Sequence, residues 1–169
     1  MGQPGEFPAG AAEGFFPQLC LDPAKAVCTP HRAATVFDGH NRAVGGVGDD
    51  LKDGAANHIA AIIREIRKSS PNTIIEVLTS DFNGKEESIA AVMDARPHIF
   101  NHNLETVERL SPLVRFRAKY RQSLAVLKRA LELAPGMVVT KSGIMLGLGE
   151  TRDEIERTLD DLREHGGTV

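Results

Sequence analysis

Arg96-Pro97-His98-Ile99-Phe100-Asn101-His102-Asn103-Leu104-Glu105 is the stretch on which the reading of the fold turns. Pro97 closes the helical pattern before it. Ile99-Phe100 then opens a run of strand type that becomes polar after two residues. A buried strand of a parallel sheet normally reads as a near-continuous apolar run. Here two asparagines, a histidine and a glutamate occupy the C-terminal end instead. Side chains alternate faces along a strand, so Asn101, Asn103 and Glu105 share one face, and His102 points to the other, under a helix. Polar groups gathered on one face at the end of a parallel strand mark a site, not a core.

Working outward, Ile59, Ile62, Ile63 and Ile66 form the apolar stripe of a helix from about Gly54 to Lys68. Asp53 is its expected cap and Ser70-Pro71 its stop. Thr73 to Thr79 is a strand by its β-branched content. Asn83 and Glu86 have capping-box-like spacing before a short helix holding Ile89, Val92 and Met93. Downstream, Thr106 to Arg115 is a short helical or irregular connection. A helix from Tyr120 to Leu133 carries Leu124, Leu127 and Leu131 on one face and ends at Pro135-Gly136. Met137 to Leu146 is the third strand. Thr151 and Glu154 form a capping box for a last helix, with Ile155, Leu159 and Leu162 inside and Gly166 at its end. Helices alternating with strands at this spacing give βαβ units and a parallel sheet. Three strands cannot close a barrel, so the expected fold is α/β, a partial parallel (β/α) barrel of about three strands and four helices. Two open sheet edges predict a soft or aggregation-prone product.

The chain has 169 residues, 41% hydrophobic and 25% charged, the balance of a globular protein. A net charge of −3 gives no basic stripe for nucleic acid. No apolar run approaches the ~18–20 residues that cross a bilayer. No basic region followed by an apolar core opens the sequence, so no secretory leader is expected. Residues 1–48 read differently from residues 49–169. Five of the nine prolines fall in the first segment, without sustained period, so it is expected to be disordered or misassigned. Cys20 and Cys28 lie there too, with none of the spacings of zinc pairs. With His31 and His40 they form no recognisable metal set.

The polar residues interrupting the three strands are Glu76, Asn101, Asn103 and Lys141. Adjacent strands lie ~4.8 Å apart, so the long side chains of Glu76 and Lys141 can meet over the central strand. A shared polar lumen is one reading; a structural ion pair with supporting amides is the other. Gly143-Ile144-Met145-Leu146-Gly147-Leu148-Gly149-Glu150 follows the third strand, where glycines let backbone approach a ligand. The start of the next helix offers N–H groups to an anion.

Four stretches carry a resemblance: Asp49-Asp50-Leu51-Lys52-Asp53-Gly54-Ala55, Pro71 to Leu78, Phe100 to Thr106, and Thr140 to Glu150. In this order and spacing they resemble lipoyl synthase, a family of the radical S-adenosylmethionine (SAM) superfamily. The resemblance implies a partial (β/α)6 barrel with SAM across the C-terminal strand ends. It implies insertion of two sulfur atoms, at C6 and C8, into a protein-bound octanoyl chain. In the family, one [4Fe-4S] cluster cleaves SAM to a 5′-deoxyadenosyl radical and a second cluster is consumed as sulfur donor. The residues that would border SAM and substrate are Asn101, Asn103, Glu105, Lys141, Ser142, Gly143, Gly147 and Glu150. No catalytic residue is assigned. The implied partners are an octanoylated lipoyl-carrier domain and a reductant for the cluster, in the cytoplasm or an organellar matrix, with neither nucleic acid nor membrane involved.

The sequence departs from the family in its cluster ligands. The radical cluster is held by cysteines spaced C-x3-C-x2-C. Here Cys28-Thr29 is followed by Pro30, His31 and Arg32, and the remaining thiols are absent. The three cysteines of the auxiliary cluster, its Arg-Ser-Ser-Tyr stretch and the last barrel strand beyond Gly166 are also missing. A cluster needs thiolates at fixed spacing, so this chain alone is expected to be inactive. Two other readings stand beside it: a non-catalytic remnant that binds SAM or the lipoyl-carrier domain, and an unrelated (β/α) enzyme binding phosphate at Gly147 to Thr151.

Overall fold

The computed structural model describes residues 33–37, 51–115, 117 and 119–168, with residues 33–37 and 168 described by their backbone. Readings that fall on Cys20, Cys28, His31, His40 and the Ala43 to Gly48 run lie outside the described residues. The described elements are β1 (Ala33–Phe37), α1 (Ala56–Ser69), β2 (Ile74–Leu78), a 3-10 turn (Phe82–Gly84), α2 (Glu86–Asp94), β3 (Ile99–Asn101), α3 (Ser111–Val114), α4 (Tyr120–Leu133), β4 (Val139–Lys141), α5 (Arg152–Glu164) and β5 (Gly167–Thr168). The strands form one parallel sheet in the order β1-β2-β3-β4-β5, that of successive βα units in a barrel wall.

Two strands therefore join the three expected from pattern. β1 lies inside the segment that periodicity leaves unassigned and pairs with all of β2, Thr35 opposite Glu76. β5 occupies Gly167–Thr168, where no strand was expected, and covers the outer edge of β4. The neighbours of β2 and β4 thus satisfy the edges that a three-stranded sheet would leave open.

The helices cover one face. Ile75 and Val77 of β2 and Phe100 of β3 point into a layer made by Ile59, Ile62, Ile63 and Ile66 of α1, Ile89, Val92 and Met93 of α2, and Leu124 and Leu127 of α4. Burying each such side chain contributes about 1.5–3 kcal/mol, so this layer is what holds the sheet. On the other face Ile74 and Val139 stand at 49% and 52% exposure. The sheet is a piece of barrel wall.

Several local expectations are corrected. Asp53 caps α1 from outside, through Ala55 N–H and Asn57 N–H, which lowers its carboxyl pKa. Asn83 opens no helix. It sits at φ 54° inside the 3-10 turn, its N–H held by Asp81, and α2 starts at Glu86 after Lys85. The capping box of Thr151 and Glu154 forms as expected, but Ile155 and Leu159 are only partly buried. The buried residues of α5 are Thr158 and Leu162, because this helix ends the layer beside a two-residue strand. β3 and β4 are shorter than the polar runs suggested. After Asn101 the chain keeps one more sheet-like bond, His102 N–H to Lys141 O. It then turns through Glu105 at φ 67° and pairs again only at the bridge of Glu105 with Ile144.

His98 clips the start of β2. Its backbone N–H donates to Ile75 O at 2.9 Å and its ring Nδ1 accepts Ile75 N–H at 2.9 Å. Burial, with nearby Arg67, lowers its pKa from the usual 6.5. Nδ1 accepts only when unprotonated. The unfolded chain therefore takes up the proton first as pH falls, and stability drops below about pH 6.5 until the folded-state pKa is passed. Melting curves at pH 7.5 and pH 5.5 should show a drop that is smaller in His98→Gln, whose amide oxygen can accept the same N–H.

Candidate functional site

Strand parity puts Glu76 of β2, Asn101 of β3 and Lys141 of β4 on the lumen face, and they meet. Asn101 Nδ2 donates to Glu76 Oε1 at 2.9 Å. Lys141 Nζ donates to the same oxygen at 3.1 Å and to Oε2 at 3.4 Å. The ion pair is partly open to solvent, with the Lys141 and Glu76 side chains 47% and 20% exposed, so it adds little stability in isolation. Asn101 Oδ1 is buried and has no hydrogen-bond partner. A buried acceptor without a donor is costly, and a ligand donor on the lumen side would satisfy it. Asn103 stays outside the triad. Its side chain lies against the backbone of Gly143, where an added Cβ would sit 3.0 Å from Asn103 Oδ1. The close approach at Gly143 is that of the chain's own Asn103 side chain.

The remaining site residues support the rim. Ser142 has the opposite parity to Lys141. It is buried and its hydroxyl accepts Leu104 N–H at 3.1 Å, so it pins the loop after β3 from behind the lumen. Glu105 is half-buried in a left-handed conformation that a non-glycine residue adopts at a cost, and its backbone joins the β3 and β4 loops through Gly143 O and Met145 N–H. Glu150 folds back on its own loop and accepts Leu148 N–H at 2.8 Å and Gly147 N–H, which lowers its carboxyl pKa. Gly147 and Gly149 have φ of 93° and 104°, open to glycine.

Some of the amides at the start of α5 are taken up within the chain. Thr151 N–H donates to Glu154 Oε2 at 2.8 Å, and Glu154 N–H to Thr151 Oγ1. Arg109 clamps Glu154 at 2.6 Å and 3.0 Å and also donates to Gly149 O. The Arg109 guanidinium holds the Glu154 carboxyl down at about 2. The Gly147, Leu148 and Thr151 amides are thus committed to carboxylates of the chain, which leaves fewer of them for an anion.

His102 lies behind the sheet, as its parity required. It is buried, with Nδ1 2.9 Å from Thr79 O and Nε2 2.9 Å from Ser123 Oγ of α4. A carbonyl only accepts, so Nδ1 carries the proton toward Thr79, and Nε2 is hydrogen-bonded to the Ser123 hydroxyl. Pattern alone did not single out Arg115. It follows α3, is half-buried, and donates from Nη1 to Asn103 O at the top of β3.

The sequence profile of the radical SAM superfamily matches residues 34–162, from within β1 to within α5, and the chain belongs to that superfamily. Within it the chain is similar to curated lipoyl synthases. It is 58% identical over 118 residues to that of Rubrobacter xylanophilus, covering 70% of this chain and 36% of the relative. It is 54% identical over 115 residues to that of Halalkalibacterium halodurans and 56% identical over 115 residues to that of Geobacillus thermodenitrificans, each covering 68% of this chain and 38% of the relative. The chain spans little more than a third of the length of these relatives.

The two groups that the superfamily implies fare differently against the residues present. SAM offers hydroxyl and amino donors and one carboxylate; the lumen offers the unpartnered Asn101 Oδ1 and the Glu76 carboxylate as acceptors, and this set fits. The radical cluster does not fit. It takes three thiolates, whereas the sequence has two cysteines and none after Cys28. Among the described residues no three His, Cys, Asp or Glu side chains gather to hold a metal.

Proposed function

We propose that this chain is the SAM-facing part of a lipoyl-forming sulfurtransferase, one that inserts sulfur into a protein-bound octanoyl chain. We propose further that these 169 residues bind SAM without supplying the cluster that cleaves it. One observation carries the reading: a buried asparagine oxygen without a donor, set beside an ion pair at the strand ends of a radical SAM barrel wall. Glu76 and Asn101 would bind the donors of SAM, and Lys141 would orient Glu76.

The octanoylated carrier would approach the same rim, where Met145, Leu146 and Leu148 leave apolar surface exposed beside the site. Cytoplasm or an organellar matrix is the compartment consistent with that partner. Among the described residues no helix is long and apolar enough to cross a membrane.

Anaerobic reconstitution of the full chain with iron and sulfide, followed by SAM, tests the reading. The expected result is no cluster absorbance and no 5′-deoxyadenosine, together with measurable calorimetric binding of S-adenosylhomocysteine. Release of 5′-deoxyadenosine would overturn the absence of cleavage, and failure to bind S-adenosylhomocysteine would overturn the SAM site. Thermal protection by phosphate but not by SAM would favour the phosphate-binding reading.

A further inference from the structure

Apolar stripes hold α1 and α4 to the sheet, Ile59, Ile62, Ile63 and Ile66 in one and Leu124, Val126 and Leu127 in the other. α5 is held differently. Its buried residues are Thr158 and Leu162, and the Thr158 hydroxyl is spent on its own helix, at Glu154 O. Leu162 stands in the last turn. Beyond it Gly166 packs so closely that an added Cβ would lie 2.0 Å from Leu131 Cδ1, and Thr140 Oγ1 donates to Gly166 O at 2.7 Å. The C-terminal end of α5 is therefore anchored. Before Leu162 the helix fully buries no apolar side chain. A cleft of about 440 Å³ opens there instead, lined by Val107 and Tyr120 on one side and by Arg157 and Thr158 of α5 on the other. Polar clasps join its two walls. Arg109 grips Glu154 at 2.6 Å and 3.0 Å, and Tyr120 O–H donates to Asp161 Oδ2 at 2.9 Å. Arg121 reaches Asp161 Oδ1 at 3.5 Å but is held by Glu108 through two bonds of 2.8 Å. The Arg109 and Arg121 side chains are 55% and 62% exposed, so salt screens both pairs.

We propose that the glycine loop after β4 and the N-terminal part of α5 form a strap, residues 147–161, that opens as one unit about the anchor at Leu162 and Gly166 while the sheet and the other helices stay folded. Segments with few buried apolar contacts open at lower free energy than the whole domain. The loop travels with the helix, because Glu150 ties it internally through Gly147 N–H and Leu148 N–H. One side chain fastens both parts to the body: Arg109 donates to Gly149 O at 2.9 Å as well as to Glu154. The upstream end stays fixed, with Met145 N–H donating to Glu105 O at 2.7 Å. A Cβ placed on Gly147 or Gly149 would meet nothing within 4 Å, so the loop has room to swing. Exposed Leu148 is carried on the strap, and opening therefore widens the strand-end mouth. That last consequence rests on the carrier reading above; the strap does not.

Hydrogen exchange followed by mass spectrometry on the 169-residue chain, without ligand, tests the strap. Peptides from residues 147–161 are expected to exchange faster than those of α1 and α4 in the unsubstituted protein. Arg109→Gln should speed them a further three- to tenfold or about that, and leave α1, α4 and residues 162–168 unchanged within about twofold. Raising sodium chloride from about 0.1 M to about 1 M shortens the screening length from about 10 Å to about 3 Å. It should speed the same peptides in the unsubstituted protein and do less in Arg109→Gln, whose clasp is already gone. This salt series keeps the test independent of whether the variant folds. Exchange of residues 147–161 at the rate of α1 and α4 would overturn the proposal, because α5 would then open only with the whole domain. Acceleration of every element together, or of residues 162–168 first, would overturn it too, the first as loss of overall stability and the second as fraying from the end of the chain. Each of these outcomes leaves the SAM and carrier readings untouched, since no ligand takes part.

Discussion

His102→Leu should lower the unfolding free energy by about 1–3 kcal/mol for each of the two polar groups it strands. The Thr79 carbonyl just after β2 loses the Nδ1 proton, and the Ser123 hydroxyl on α4, fully buried, loses its Nε2 partner. Leucine fills the space and satisfies neither. Because small domains are stable by only about 5–15 kcal/mol, this single change consumes a large part of the margin. Urea denaturation followed by circular dichroism measures it. His102→Gln, which offers one donor and one acceptor, should recover some of the loss. Behaviour within error of the unsubstituted chain in both variants would mean that the bridge between sheet and helix layer contributes nothing.

Phe100→Ala and Asn101→Leu should part company although the residues are adjacent. Phe100 faces the helices and is fully buried, so truncation is expected to cost about 3–5 kcal/mol, with a matching fall in the urea midpoint. Asn101 faces the lumen with one amide group on Glu76 and an oxygen on nothing. Removing a buried acceptor that lacks a donor relieves a penalty, so Asn101→Leu should melt no lower than about 1 kcal/mol below the unsubstituted protein. Its effect belongs to ligand binding: affinity for S-adenosylhomocysteine should drop at least about tenfold. A variant that folds and binds as before would remove Asn101 from the site.

That contrast follows from strand parity, which is local and therefore legible in the sequence. The same rule placed His102 behind the sheet and brought Glu76, Asn101 and Lys141 together across three strands. Applied to Ser142 it also gives the helix side, where its hydroxyl is found, so this residue supports the rim and does not line it. Periodicity does not reach what long-range pairing decides. Ala33–Phe37 holds only Thr35 and Val36 as β-branched residues and becomes a strand by pairing with residues some forty positions away. β5 is two residues long, too short for any pattern. The glycine loop after β4 announced its conformation but not its hydrogen bonds, because whether an amide is free depends on where Glu150 and Glu154 turn. Arg115 lies in an irregular connection, where residue type carries no information about direction.

The way Glu150 holds its own loop bears on how tightly and how fast a ligand can be held. Leu148 N–H and Gly147 N–H are tied to that carboxylate, and Arg109 fastens the far end through Gly149 O and Glu154. The loop is thus preorganised. A ligand docking beside it pays no ordering entropy for these residues, so the free energy of its contacts goes into residence time instead of loop closure. Association should then run near the encounter rate for a fixed surface, and Glu150→Ala should lower affinity mainly by slowing association, as a loop that must first find its shape.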